Sequence, residues 1–156
     1  MIPNKNDLRY MNIAKEFSTW SKDPSTRVGA VVVGQAGQVL TQGYNGFPRG
    51  INDDVERWNN RAEKYKYVVH AEMNCIYNAS HNGVSLNGAT LYVYGLPICS
   101  ECTKGVIQVG IRRVVVPLMA VPTNWKASTR VSSDMLCEAN IQYQTLDMIT
   151  NKITYM

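Results

Sequence analysis

The sequence contains no long apolar run. None of its apolar stretches approaches the roughly 18 residues that a membrane-spanning helix needs. Residues 1–7 are largely polar, and no basic start precedes an apolar stretch there. We therefore expect neither a membrane span nor a secretory signal, and we expect the protein to act in the cytoplasm.

The sequence also lacks runs of like charge. It has 16 Lys and Arg against 12 Asp and Glu, which gives a formal net charge of +4. The basic residues are scattered and form no arm or stripe, so we expect no nucleic-acid partner. This mild positive balance suits small anionic molecules.

Internal repeats, low-complexity tracts and linkers are absent as well. With 156 residues, of which 45% are hydrophobic, the chain is long enough for one sizeable core. We predict a single domain over residues 1–156.

Histidine occurs twice and cysteine four times. In a chain with no export signal, a disulfide framework is not expected. The Cys99-Ser100-Glu101-Cys102 segment therefore indicates a metal site or a redox pair.

Two motifs together indicate a catalytic zinc site: His70-Ala71-Glu72 and the Cys99–Cys102 segment. One imidazole and two thiolates can hold Zn²⁺ and leave its fourth position to water. Cys99 and Cys102 are three residues apart at a predicted helix start, where both sulfurs share one face and thiolates are favoured. Glu72 is predicted to carry protons without binding the metal. His-x-Glu followed by Pro-Cys-x-x-Cys is the signature of zinc deaminases that act on cytosine or adenine rings.

Other interpretations stay open. Cys75 or His81 could supply a fourth ligand and close a structural zinc site. Cys99 and Cys102 alone are compatible with a redox pair, although the His70 motif is then unexplained. A non-catalytic zinc-stapled binding module is the alternative from another functional class, and Glu72 argues against it, because a structural site needs no free carboxylate beside the metal.

The hydrophobic pattern predicts an α/β fold. A helix over 8–17 precedes two strands, Val28–Val33 and Val39–Tyr44, that form an antiparallel hairpin, and a polar loop follows from Gly43 to Tyr67. Alternating helices and strands then predict right-handed crossovers and a mixed five-stranded sheet with helices on both faces. These elements are His70–Ser80, Ala89–Tyr94, Cys99–Val109, Arg113–Pro117, Ser128–Ala139 and Ile141–Gln144.

From Ser21 to Val116 the sequence resembles the deoxycytidylate (dCMP) deaminases. Trp125 and the Met135-Leu136-Cys137-Glu138-Ala139 segment resemble the tail of the small bacterial and phage-type members. The zinc motif alone indicates only a zinc deaminase. The Gly43-Tyr44-Asn45-Gly46 segment, followed by Asp53-Asp54 and Lys64-Tyr65, narrows the resemblance to dCMP deaminases. Further matching segments are Ser21-Lys22-Asp23-Pro24, Val28-Gly29-Ala30-Val31, Leu91-Tyr92-Val93 and Ile107-Gln108-Val109-Gly110-Ile111.

This resemblance implies a cytidine-deaminase-like three-layer α/β/α sandwich and hydrolysis of dCMP to dUMP and ammonia, which supplies dUMP for dTMP synthesis. It implies a zinc ion held by His70, Cys99 and Cys102, with Glu72 as the proton carrier. A phage-encoded member would act in the host cytoplasm. A zinc deaminase of another nucleotide, or of adenosine in tRNA, is the runner-up.

The resemblance also implies binding roles for other residues. Asn45 lies where related deaminases contact the sugar, and Thr26 is a weaker candidate for substrate contact. Members of the family are homo-oligomers, often hexamers, and regulated members respond to dCTP as activator and dTTP as inhibitor, each with Mg²⁺. The implied effector site comprises Gly43, Tyr44, Gly46 and Arg49. From the residues alone, Arg27, Arg49 and Lys64 are candidates for phosphate binding, and each is equally compatible with a solvated surface cation.

Three features depart from the family pattern. Ile98 is inserted between Pro97 and Cys99. Cys75 stands where Ala is usual. The second, structural zinc of some phage enzymes has no evident ligands, because His70 and His81 are the only histidines.

Overall fold

A mixed β-sheet forms the centre of the protein, whose computed structural model describes residues 5–156. Its strands are β1 (Gly29–Val33), β2 (Val39–Tyr44), β3 (Thr90–Tyr94), β4 (Arg113–Pro117), β5 (Gln142–Asp147) and β6 (Lys152–Tyr155). They lie in the order β2-β1-β3-β4-β5-β6. The predicted hairpin is confirmed, since β1 pairs antiparallel with β2, and the predicted parallel arrangement holds for β3, β4 and β5.

The predicted count of five strands is wrong, because β6 adds a sixth. β6 pairs antiparallel with β5, so the two form a hairpin at the end of the chain. The Asp147 carboxylate accepts hydrogen bonds from the backbone N–H groups of Ile149 and Thr150 and shapes the connecting turn. The prediction ended the last strand at Gln144, whereas it continues to Asp147.

The helices are α1 (Asp7–Ser18), α2 (Val55–Asn59), α3 (Arg61–Tyr67), α4 (Ala71–Asn82), α5 (Ser100–Gln108) and α6 (Lys126–Glu138), and a 3₁₀ turn covers Thr123–Trp125. The prediction of a loop from Gly43 to Tyr67 is wrong over its second half, which holds α2 and α3. Asp54 and Asn60 cap these two helices, because their side chains accept hydrogen bonds from the N–H groups of Glu56 and Glu63.

The two faces of the sheet carry separate apolar clusters. On one face α4, α5 and α6 pack through buried residues such as Ile76, Val106 and Leu136. On the other face α1 packs through Met11 and Ala14. Alternation along the strands explains this division, because successive side chains point to opposite faces. Among residues 5–156 we find no helix that combines the length and apolar character of a membrane span.

Candidate metal and substrate site

Three potential metal ligands converge where α4 and α5 begin. His70 is the N-terminal capping residue of α4, Cys99 is that of α5, and Cys102 lies in the first turn of α5. His70 Nδ1 is 3.4 Å from Cys99 Sγ and 3.4 Å from Cys102 Sγ. Tetrahedral zinc with ordinary Zn–N and Zn–S distances needs a nitrogen-to-sulfur separation of about 3.6 Å. The donor set therefore fits zinc.

The electrostatics of the site favour thiolate at Cys99. Its hydrogen bond with the Cys102 thiol lowers the pKa of Cys99 and raises that of Cys102. The Cys102 N–H also points to Cys99 Sγ, at 3.4 Å, so the helix start supports negative charge on this sulfur.

Neither proposed fourth ligand joins the cluster. Among residues 5–156, His70, Cys99 and Cys102 are the one group of this kind whose donor atoms converge, and they lie within 4.8 Å of one another. Cys75 is fully buried in α4, and burial raises the pKa of its thiol well above the usual value. The two interpretations of a closed site, through Cys75 or His81, are therefore not supported by the geometry.

Glu72 lies beside these ligands in the first turn of α4 and is 4% exposed. Burial raises the pKa of its carboxyl to about 7, while the neighbouring His70 opposes that shift. A group with this pKa can both accept and release a proton near neutrality.

A pocket of about 620 Å³ opens in front of His70 and Glu72. Asn45 and Thr26, the two residues that the resemblance implied for substrate contact, line this pocket together with Trp125. The Trp125 ring lies 6.2 Å from the His70 ring, centroid to centroid. Of the residues predicted for the site, Thr26, Asn45, His70 and Glu72 therefore line one pocket, whereas Trp125 was not predicted for it.

Asn45 also fastens two loops to each other. Its Oδ1 accepts a hydrogen bond from the Val28 N–H at 2.8 Å, and its Nδ2 donates to the Thr26 carbonyl at 2.9 Å. The Asp23 carboxylate accepts hydrogen bonds from the N–H groups of Ser25 and Thr26. The wall of the pocket is therefore a loop that these hydrogen bonds hold in place.

The basic residues near the pocket are not all those predicted to bind phosphate. Lys64 forms an ion pair with Asp23 at 3.1 Å, with side chains 7% and 5% exposed, so its charge is already compensated. Arg49 lies in a different pocket, where it bonds the Asn78 amide oxygen. Arg61 lines the pocket of His70 but was missed, because no motif distinguishes it from the other scattered basic residues. Its Nε donates to the Tyr65 hydroxyl at 2.8 Å.

A second pocket, of about 1060 Å³, lies beside β2 and α4. Gly43, Tyr44, Gly46 and Arg49 line it together with aromatic residues that include Trp20, Phe47 and Tyr77. Gly43 packs so closely on α4 that a side chain there would lie 2.6 Å from the Ala71 carbonyl. Gly46 pairs with Val69, the residue before His70, so the wall of this pocket adjoins the metal ligands.

The His–Cys–Cys donor set beside a buried glutamate places the protein among zinc-dependent base deaminases. The model of the family described as the cytidine and deoxycytidylate deaminase zinc-binding region matches residues 4–118. A probable deoxycytidylate deaminase of Caenorhabditis elegans is 37% identical over 147 residues, covering 92% of this chain and 71% of that protein. The human deoxycytidylate deaminase is 41% identical over 111 residues, covering 68% of this chain and 61% of that protein.

The dCMP deaminase of the cyanophage S-TIM5 has the same fold. Its structure in complex with dCMP and dUMP superposes with a TM-score of 0.75 at 24% identity, covering 94% of this chain and all 100% of that one. Its apo form gives a TM-score of 0.69 at 26% identity, covering 92% and 98%. The chain belongs to the cytidine and deoxycytidylate deaminase family and is a hydrolase, and the resemblance seen in its sequence is confirmed.

Proposed function

We propose that this protein deaminates dCMP to dUMP and ammonia. The observation that carries the proposal is the cluster of His70, Cys99 and Cys102. It lies beside the buried Glu72, and both His70 and Glu72 line the pocket. The matched relatives from nematode and human bear the name deoxycytidylate deaminase, which supports this nucleotide as the substrate. We further propose that the product supplies dUMP for dTMP synthesis and that the reaction takes place in the cytoplasm.

The chemistry divides among few residues. His70, Cys99 and Cys102 would hold a zinc ion, which would supply Lewis-acid activation of water. Glu72 accepts a proton from the attacking water and delivers it to N3 of the cytosine ring. The water oxygen bonds to C4, and Glu72 then takes the remaining proton from the new C4 hydroxyl and delivers it to the amine. The C4–N bond breaks, the C4 carbonyl forms, and ammonia leaves. The high pKa of Glu72 suits this exchange, because both protonation states are accessible near neutral pH.

Asn45 and Thr26 are the proposed contacts for the deoxyribose. Both line the pocket, and the Asn45 amide oxygen retains one acceptor position beside its bond to Val28. The 3′-hydroxyl of the sugar can donate to that oxygen, and Thr26, whose backbone carbonyl accepts a hydrogen bond from Asn45, lines the same pocket.

Arg61 is the proposed anchor for the 5′-phosphate. It carries the charge at the pocket that has no ion-pair partner among the described residues, whereas Lys64 is bound to Asp23. The bond from its Nε to Tyr65 leaves the two terminal nitrogens of the guanidinium to bind two phosphate oxygens.

The test is ammonia release from a panel that includes dCMP, deoxycytidine, dCTP and adenosine. We expect dCMP to have the highest kcat/KM. Arg61→Ala should lower kcat/KM for dCMP by about 10- to 100-fold, because a charge-assisted contact is lost. The same variant should leave deoxycytidine unaffected, which makes the nucleoside a matched control. Equal kcat/KM for dCMP and deoxycytidine in the wild type would contradict the proposed substrate.

We also propose that the second pocket binds the effectors dCTP and dTTP with Mg²⁺, in a homo-oligomer that is a hexamer. Arg49 offers a cation to phosphates, and Tyr44, Tyr77 and Trp20 offer faces for a base. Gly46, which lines the second pocket, pairs with Val69, and Val69 precedes His70 in the chain. A change in this pocket can therefore reach His70 through one backbone pairing.

A further inference from the structure

The two sequence neighbours of Cys99, Ile98 and Ser100, are hydrogen-bonded to α6, a helix that follows about 30 residues later in the chain. Ser132 Oγ, in α6, donates to the Ile98 carbonyl at 3.0 Å. The N–H of Ser100 donates to Ser128 Oγ at 2.9 Å, and that hydroxyl lies 3.2 Å from Ser100 Oγ. Ser128 and Ser132 are four residues apart, so they present their hydroxyls on one face of α6.

The segment before Cys99 needs such support. Pro97 has no N–H to donate, and Ile98 is the residue inserted between it and Cys99. On its helical side Cys99 is well held, because its carbonyl accepts hydrogen bonds from both the N–H and the hydroxyl of Thr103. On the other side, the carbonyl of Ile98 is bonded to Ser132.

α6 is a firm point of attachment. Ser132 and Leu136 have no exposed surface, and Leu136 packs in the apolar cluster that also contains Cys99 and Cys102. The Ser132 hydroxyl is shared with the Ser128 carbonyl, one turn earlier in the helix. The helix spans Lys126–Glu138 and so lies beyond the family match, which ends at residue 118.

We propose that Ser128 and Ser132 are positioning residues of the metal site. They hold the backbone of Ile98 and Ser100 in place, so that Cys99 Sγ and His70 Nδ1 lie close enough to bind the same metal ion. The proposal rests on the zinc site of the proposed function but not on the identity of the substrate. Residues that orient metal ligands typically contribute 10- to 100-fold to metal affinity, and we expect roughly tenfold from each serine.

The experiment measures zinc affinity of the full chain at 25 °C by competition with a chromophoric chelator. Ser128→Ala and Ser132→Ala should each weaken zinc binding roughly tenfold, and the double variant more strongly. Ser133→Ala is the matched control, because Ser133 lies on the same helix and has no bond to this segment. Ser128→Thr should restore affinity, since it keeps the hydroxyl.

Cobalt substitution adds a readout of geometry. Absorption bands of Co²⁺ bound to thiolate should shift or broaden in the serine variants and stay unchanged in Ser133→Ala. Wild-type zinc affinity and an unchanged cobalt spectrum in both single variants would overturn the proposal, even if their thermal stability were lower. Failure of dCMP deamination in the wild type would overturn the proposed substrate instead and leave this measurement intact. If Ser132→Ala does not fold, the zinc affinities of Ser128→Ala and Ser128→Thr decide the outcome, because Ser128 is only half-buried.

Discussion

The carboxyl of Glu72 lies beside three potential metal ligands. Replacing it tests whether it takes part in the reaction without changing the metal site or the fold. Glu72→Gln keeps the size of the side chain and its hydrogen bonding but cannot carry a proton. We expect full zinc content and an unchanged melting temperature, with turnover lower by about 10²- to 10⁴-fold. Ammonia release and zinc per chain are measured on the same preparation.

Glu101→Gln is the matched control for this substitution. Glu101 lies in α5 near the same ligands, but it is exposed and pairs with Lys104 at 2.7 Å. Its variant should retain wild-type turnover. Activity of Glu72→Gln within about tenfold of the wild type would exclude Glu72 as the main proton carrier.

Cys99 and Cys102 differ sharply from Cys137 in their expected contribution to metal binding. Cys99→Ala and Cys102→Ala each remove one of three ligands, so zinc content after gel filtration should fall to a small fraction of one per chain. Cys137 is exposed and does not belong to the cluster, so Cys137→Ala should retain the metal. Equal zinc content in Cys102→Ala and the wild type would refute the ligand assignment.

At the scale of elements, α3 depends on one buried ion pair. Lys64 in α3 and Asp23 in the 19–28 loop are 41 positions apart in sequence, and both side chains are nearly inaccessible. Lys64→Met leaves the Asp23 carboxylate without its partner, and this should lower the free energy of unfolding by about 3–5 kcal/mol. Urea denaturation measures the change.

Lys66→Met is the control on the same helix. Lys66 pairs with Glu63 at the surface, with side chains 71% and 38% exposed, and such pairs contribute at most about 0.5 kcal/mol. If both variants lose the same small amount of stability, the pair of Lys64 and Asp23 does not hold α3 on the pocket.

How well each element could be predicted follows from its length and its apolar period. The prediction placed a helix over His70–Ser80, and α4 spans Ala71–Asn82 with His70 as its cap. α2 and α3 have 5 and 7 residues, too few for an apolar period to stand out. Their start signals, Asp54 and Asn60, are visible in the sequence, but polar residues of this kind are equally common in loops.

At the scale of the whole molecule, the two pockets share the backbone between Asn45 and Gly46. Asn45 lines the metal pocket, and Gly46 lines the second pocket and pairs with Val69. If this segment has two arrangements, a ligand in one pocket that binds one arrangement more tightly shifts the equilibrium toward it and so changes the other pocket. The size of the shift is set by the difference in the ligand's affinity for the two arrangements. Coupling of about 1–3 kcal/mol would change activity roughly 5- to 150-fold.

We therefore expect a sigmoidal response to dCMP that dCTP makes hyperbolic and dTTP makes more sigmoidal, with Mg²⁺ present. Arg49→Ala should weaken the response to both triphosphates while zinc content and maximal turnover stay unchanged. Arg130→Ala, an exposed substitution on α6, is the control. Hyperbolic kinetics that ignore both triphosphates would mean that the 43–50 segment is only a turn.

The sequence by itself determined the ligand types, the carboxylate beside them and the alternation of strands and helices after residue 70. These features depend on residues close together in the chain, where spacing and periodicity act directly. Only the tertiary structure decided that Asp23 compensates Lys64, that Arg61 rather than Arg49 faces the metal pocket, and that β6 completes the sheet. It also placed two serines of α6 against the backbone of Ile98 and Ser100, the neighbours of Cys99. Such contacts arise from packing between segments that are far apart in the sequence, so no local pattern signals them.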